Sequence, residues 1–250
     1  MLFSEILLTS ISSLRSNPIR SFLTALAIII GIGSVIAMLS IGSGAQKLLE
    51  EEIQTLGGRI LWVSGSQRIR GGVKRDYVQL EIKDAEALRD YDGFNWEIST
   101  EMKERRQIKF GNSNFNAQIG AYWHNFFDVR DFEIEHGRGF TEEEDLSRQR
   151  VVVVGSDIPK ELKTNFAALL NNEIQINGIP YKVIGILSKR GSQGWESPDN
   201  EIYAPLQTAS ARIFGTKNLR SIMVKIPNDA NVEEAMLNIE SVMRVQHDIG

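Results

Sequence analysis

"SFLTALAIIIGIGSVIAMLSIGSGAQ", Ser21 to Gln46, contains no charged residue, and "KLLEEEIQTLGG" follows it without a break. At about 1.5 Å per residue the uncharged run makes a helix of roughly 39 Å, longer than the roughly 30 Å hydrocarbon core of a bilayer. A helix buried in a soluble core carries a polar stripe more often than not, and none appears between Phe22 and Leu39. A cleaved signal peptide has an apolar region of only about 7–15 residues. The run therefore reads as a transmembrane helix over 21–44. Arg15 and Arg20 lie just before it, and Glu50, Glu51 and Glu52 just after it. Lys and Arg near a span favour the cytoplasmic side. Lys47 weakens that bias without reversing it. The N-terminus reads as cytoplasmic, and everything after about Gly44 as extracytoplasmic.

Both flanks of the span look helical. Leu2, Ile6, Leu7, Ser10 and Leu14 recur at helical spacing until Pro18 ends the pattern. Residues 1–20 read as a short amphipathic helix on the cytoplasmic membrane face. On the other side, Leu48, Leu49, Ile53 and Leu56 carry the helical period beyond the membrane, and Gly57-Gly58 supplies a C-cap. Residues 45–58 read as a stalk. Within the span, Thr24, Ala27, Gly31 and Ser34 share a face, with Gly33 and Ala37 four apart beside it. Small residues let membrane helices approach closely, so this face is expected to pack against another span, in this protein or in a partner.

Helix and strand signals alternate after the stalk. "RILWVSG" reads as a strand, "IKDAEALRDYDG" as a helix, and "WEISTEM", "RRQIKFG" and "FNAQIGAY" as three short strands, the last two joined by Gly111 to Asn114. "VVVV" (Val151 to Val154) is a buried strand, followed by a helix capped by Ser156 with Pro159 in its first turn. "NNEIQINGIPYKVIGIL" is a hairpin on Asn177-Gly178, the pair that favours a type I′ turn. "EIYAPL" is a strand, "TASARIF" a helix and "RSIMVKI" a strand. Asp229 or Asn231 then caps an amphipathic helix to about Gln246. "RIRGGVKRD" (Arg68 to Asp76) is the best candidate for a mobile loop. The fold class is α+β: a membrane helix with a stalk, then a mixed α/β extracytoplasmic domain over 59–250.

Composition and motifs bound the chemistry. A net charge of −4 gives no reason to invoke nucleic acid. There is no cysteine, so no disulfide and no lipid-modified cysteine. His124, His136 and His247 lack ligand-like spacing, so no metal site is expected. "GFTEEED" (Gly139 to Asp145) looks acidic, but Thr141 and Glu144 make a capping box whose carboxylates suit a helix N-terminus. "VVGSD" is not a nucleophile elbow, and no G-x-x-x-x-G-K-[ST] loop occurs. Neither catalytic residues nor a cofactor are expected, and ATP hydrolysis is assigned to another domain or subunit.

Several fragments together resemble MacB/FtsX-like ABC transporter permeases. They are "NPIRSFLTALAIIIGIGSVIAMLSIGSGA", "GRGFTEEED", "VVVVGSD", "IQINGIPYKVIGIL" and "IYAPLQTASARIFG", in that order and at similar spacing. The resemblance covers nearly the whole chain. It implies a permease of a cell inner membrane, with three more spans beyond Gly250 and an ABC ATPase that is fused or separate. It implies a two-lobed outer domain, with one lobe at about 59–120 and 219–248 and the other at about 121–218. Its further partners would be a periplasmic adaptor or membrane-fusion protein and a second permease, in a homodimer or heterodimer. The mechanism it implies is mechanical, with ATP-driven closure of the ATPases moving the stalks and outer domains to expel a substrate. Two alternatives share the architecture: a single-span binding or sensor module, and a regulator of the FtsX or lipoprotein-releasing type.

Overall fold

The computed structural model describes residues 15–55, 59–70, 73–93, 96–191 and 197–248, with main chain alone over 48–55, 66–70 and 73–78. One helix, α1 (Pro18–Thr55), carries the uncharged run. Pro18 opens it, a position where a missing N–H costs nothing, and the Ser21 N–H donates to the Asn17 carbonyl. The helix passes Leu48, Leu49 and Ile53 without a break. Its 38 residues correspond to about 57 Å. Residues 1–14, which carry the amphipathic-helix reading, lie outside the described residues, as do Leu56 and the Gly57-Gly58 cap.

The chain from Leu56 on is a second compact unit. In chain order it runs β1 (Ile60–Ser64), β2 (Ser66–Arg70), β3 (Val73–Val78), β4 (Leu80–Glu81), α2 (Ile82–Arg89), β5 (Glu97–Phe110), β6 (Ser113–Tyr122), α3 (Phe126–Val129), β7 (Ile134–Gly137), α4 (Glu142–Leu146) and β8 (Val151–Val154). It continues through α5 (Ile158–Glu161), α6 (Phe166–Leu169), β9 (Glu173–Ile176), β10 (Ile179–Leu187), β11 (Glu201–Pro205), α7 (Leu206–Ala209), β12 (Asn218–Leu219), β13 (Ser221–Lys225) and α8 (Val232–Gln246).

Nine strands form one sheet in the order β1-β13-β5-β6-β11-β8-β10-β7, with β9 pairing both β10 and β5. That double pairing closes β5, β6, β11, β8, β10 and β9 into a six-stranded ring. The strand pair β13–β1 is a wing on the first half of β5. Strand alternation then sorts the side chains into two cores. Ile108, Ala117, Ile119, Val152, Val154, Ile174, Ile176, Tyr181, Val183, Ile202 and Ala204 belong to one, which also takes in Leu88 of α2 and Ile239 of α8. Their neighbours Tyr122, Val151, Val153, Tyr203 and Met223 face the other way, into an aromatic core with Phe126, Phe127, Phe132 and Phe140. A register shift in β10 between Val183 and Gly185 puts Ile186, rather than Gly185, on the first face. The residues expected as one lobe supply β1, β13, β5 and β6, and those of the other supply β7 to β11. The sheet runs on between the two sets through the parallel pairing of β6 with β11.

Four local expectations need correction. β5 is one 14-residue strand, not two, because Glu104, Arg105 and Arg106 remain in register with β6 across what reads as a polar break. The hairpin turn after it is the Gly111-Asn112 pair, with Gly111 at a φ of +56°. Asp157, not Ser156, occupies the N-cap of α5, with no side-chain bond. The "RIRGGVKRD" segment is not a simple loop: β2 and β3 pair antiparallel around Gly71-Gly72, which lie outside the described residues. Other readings hold. Asn177 and Gly178 both take positive φ, as a type I′ turn requires. Thr141 and Glu144 form the capping box of α4, and Asn231 caps α8.

Candidate functional site

Two features stand apart from a simple packed core: the apolar length of α1 and a buried charge cluster in the sheet. Pro18–Lys47 is long and apolar enough to cross a membrane, and none of it is buried in this chain. Its hydroxyls are turned inward. Thr24 Oγ1 donates to carbonyls of Arg20 and Ser21 (3.0 Å each), and Ser34 Oγ donates to the Gly31 carbonyl at 2.8 Å. A hydroxyl satisfied within its own helix costs little in hydrocarbon. A Cβ built on Gly31 or Gly33 meets no described atom within 4 Å. At 100° per residue, Thr24, Ala27, Gly31 and Ser34 form one stripe, and Gly33 and Ala37 lie roughly 120° round from it. The small residues therefore line two sides of the helix.

The charge cluster lies on the aromatic face of the sheet. Lys103 Nζ on β5 is 2.7 Å from Glu101 Oε1 and 3.5 Å from Glu201 Oε2 on β11. Ser221 Oγ, directly across on β13, donates to Glu101 Oε2 at 2.6 Å. The Tyr122 hydroxyl on β6 donates to Glu201 Oε1. Burial, reinforced by the Glu201 and Glu101 carboxylates, pushes the Tyr122 hydroxyl well above its ordinary range, so it remains a donor. Gly120 makes this reach feasible, since a Cβ there would collide with Glu201 Oε1 and the Tyr122 ring. Buried charges are costly unless paired and hydrogen-bonded, and here the pairing joins four strands. Arg130 lies beside the cluster, its guanidinium 5.3 Å from the Trp62 ring centre and 5.5 Å from that of Phe132. The cleft among these groups, about 10 Å³, has room for roughly one water. None of these residues is legible as a site in the sequence, because Glu and Lys inside a strand normally mark its wet face.

Another buried carboxylate, Asp145, pins α4 to α7. Asp145 Oδ1 accepts the Gln207 N–H at 2.7 Å, while Arg138 holds Glu144 through two bonds of 2.7 and 2.8 Å. The hydrogen bond from Arg138 lowers the Glu144 pKa. Burial raises Asp145 from 3.8 to about 6, against the opposing pull of the Gln207 N–H. A raised carboxylate favours the native state most below its unfolded value. That stability is lost as pH rises through about 6. Asp145→Asn keeps the acceptor and removes the ionisation. It is expected to stabilise the chain at pH 7.5 by at most about 3 kcal/mol, with the gain vanishing near pH 4. Urea titrations at both pH values check this, and an equal effect at both would exclude ionisation of Asp145 as the cause.

Among the described residues no group of three or more His, Cys, Asp or Glu could hold a metal ion. His136 stacks on Phe166 at 4.4 Å, and His247 Nε2 lies 3.2 Å from Asp84 Oδ2. Asp84, fully buried, accepts the Glu81 N–H as part of the α2 capping box.

An apolar helix long enough to cross a membrane, followed along the chain by a mixed sheet domain, defines a class: a membrane-anchored protein with a sheet-rich domain after its span. The chain belongs to the MacB-like periplasmic core domain family, whose model matches residues 21–242. It is 33% identical over 240 residues to the macrolide export ATP-binding/permease protein MacB of Wolinella succinogenes, covering 94% of this chain and 36% of that protein. It is 28% identical to the MacB of Bdellovibrio bacteriovorus, covering 95% and 37%. The chain thus spans little more than a third of the curated relatives it matches. The periplasmic region of MacB from Actinobacillus actinomycetemcomitans has the same fold, with a TM-score of 0.64 at 23% identity over 78% of this chain and 87% of that one. The chain therefore joins one helix long and apolar enough to cross a membrane to the fold of this family's periplasmic core domain.

Proposed function

We propose that this chain is the mechanical output element of a MacB-type ABC export system. Its N-terminus is cytoplasmic, and α1 carries displacement from a partner ABC ATPase across the membrane to the outer domain. That displacement drives export of a substrate. Hydrolysis belongs to the ATPase. Thr24, Ala27, Gly31, Ser34, Gly33 and Ala37 pack α1 against other spans or a second permease in a homodimer or heterodimer. A periplasmic adaptor or membrane-fusion protein receives the outer domain. The observation that carries this reading is the continuity of α1 over Pro18–Thr55, roughly twice the thickness of a bilayer core. A stiff helix that continues past the membrane transmits movement, whereas a flexible tether would absorb it. The names of the relatives, which join ATP-binding to permease function, support the choice of partner.

The orientation gives the first test. A reporter active only outside the cytoplasm, fused after Leu80 in the intact chain, is expected to be active. Replacing Arg15 and Arg20 by Glu is expected to lower that activity by removing the cytoplasmic retention signal. Reporter activity confined to the cytoplasm in the unmodified chain would overturn the proposal.

A further inference from the structure

The charge cluster lies where β5 passes from pairing with β13 to pairing with β6. Glu97 to Glu101 pair with β13, and Met102 to Phe110 pair with β6. Glu101 is the last residue bound to the wing, and Lys103 lies within the ring. Through Ser221, Glu101, Lys103, Glu201 and Tyr122 the cluster ties β13 on the wing to β5, β6 and β11 of the ring. The chain enters this unit through that wing. β1 begins at Ile60, soon after α1 ends at Thr55, and β13 leads into α8, the last element. The covalent path from α1 therefore enters the wing first.

We infer that the Glu101–Lys103–Glu201–Tyr122–Ser221 network is an alignment lock, fixing the wing against the ring so that displacement entering at β1 moves the ring as well. The transmission half of this inference rests on the mechanical reading above. An apolar patch of the same volume would serve stability at least as well, since buried ion pairs seldom contribute net stability. Paired charges instead define one geometry, because any slip leaves a carboxylate or an ammonium buried and unpaired. Gly120 fits this role. It gives up strand propensity at a buried position, and in return Glu201 reaches across β6.

The absence of native cysteine makes a distance measurement straightforward. Leu237→Cys on the exposed side of α8 and Lys182→Cys on β10 carry spin labels in the full chain, in lipid nanodiscs. The unmodified lock is expected to give a single narrow distance distribution. Glu101→Gln with Lys103→Met and Glu201→Gln is expected to widen it at least twofold while tryptophan fluorescence still reports a folded domain. Tyr122→Phe, which removes one hydroxyl and no charge, is expected to widen it less. Unchanged widths in both variants would overturn the lock. In the transporter assembled with its ATPase, the triple variant is expected to lose most export at undiminished ATP hydrolysis. Normal export by a widened variant would overturn the transmission half. If the unmodified chain supports no ATP-driven export, the mechanical reading fails, and the label distances still decide the lock.

Discussion

Phe126→Ala is expected to remove about 3–5 kcal/mol from the stability of the outer domain, at the upper end of what truncating one buried side chain costs. Phe126 stacks on Tyr122 at 3.7 Å. It also meets the rings of Phe132 at 5.3 Å and of Phe127 and Tyr203 at 5.6 Å. Its removal leaves a cavity bounded by four rings, none of which can collapse into it without breaking other contacts. The Tyr122 ring, which carries the hydroxyl bound to Glu201, would lose its stacking partner, so the loss extends to the charge cluster. A domain of this size typically has only about 5–15 kcal/mol in total. Urea unfolding of the full chain in detergent, followed by tryptophan fluorescence, should show a lower midpoint with an unchanged slope. Phe166→Ala is the control. Phe166 is half-exposed and, among the described residues, stacks on His136, so a loss below about 1 kcal/mol is expected. Similar midpoints for the two variants would mean that the aromatic core does not carry the fold.

The second large effect concerns transport rather than stability. Under the proposed function, Leu49→Gly with Ile53→Gly should break α1 above the membrane, where two glycines cost about 1 kcal/mol each in helix propensity alone. They would also remove apolar groups that pair the stalk with a neighbour. The outer domain has its own core from Leu56 on and is expected to stay folded. Reconstituted with its ATPase, the variant should hydrolyse ATP at a near-normal rate and export at background level. Normal export at normal expression would reduce the stalk to a passive tether.

The features legible in the sequence rest on short-range physics. Ser21 to Gln46 announces a span because length and polarity suffice. Asn177-Gly178 announces its hairpin because few residue pairs tolerate two positive φ values. Thr141 and Glu144 announce a cap because the two partners are three residues apart. Closure of the ring was not legible, because it depends on Ile108 and Lys109 meeting Gln175 and Ile176, a register decided by the rest of the sheet. The single long β5 was hidden because Glu104, Arg105 and Arg106 mimic a polar loop. The charge cluster was hidden for the opposite reason. Glu101, Lys103 and Glu201 look like ordinary solvent-facing strand residues until β6 and β11 pair in parallel and the segment from Trp123 to Phe140 covers them. Such burial is a property of the assembled sheet, and no window of sequence contains it.

The pairing of β1 with β13 has a consequence for biogenesis. Strand β1 is made and moved across the membrane early, yet the strand it pairs with begins only at Ser221. β5 likewise needs β13 for its first half, and β6 needs β11. Contacts so distant along the chain close slowly, and no local hairpin can stand in for them. The sheet cannot be completed until nearly the whole domain has been delivered. Until then, the edges of β1 and β5 that pair with β13 keep their backbone N–H and C=O groups open. A chain stopped anywhere before β13 therefore cannot complete this sheet, and its unpaired strand edges are left able to pair with other chains.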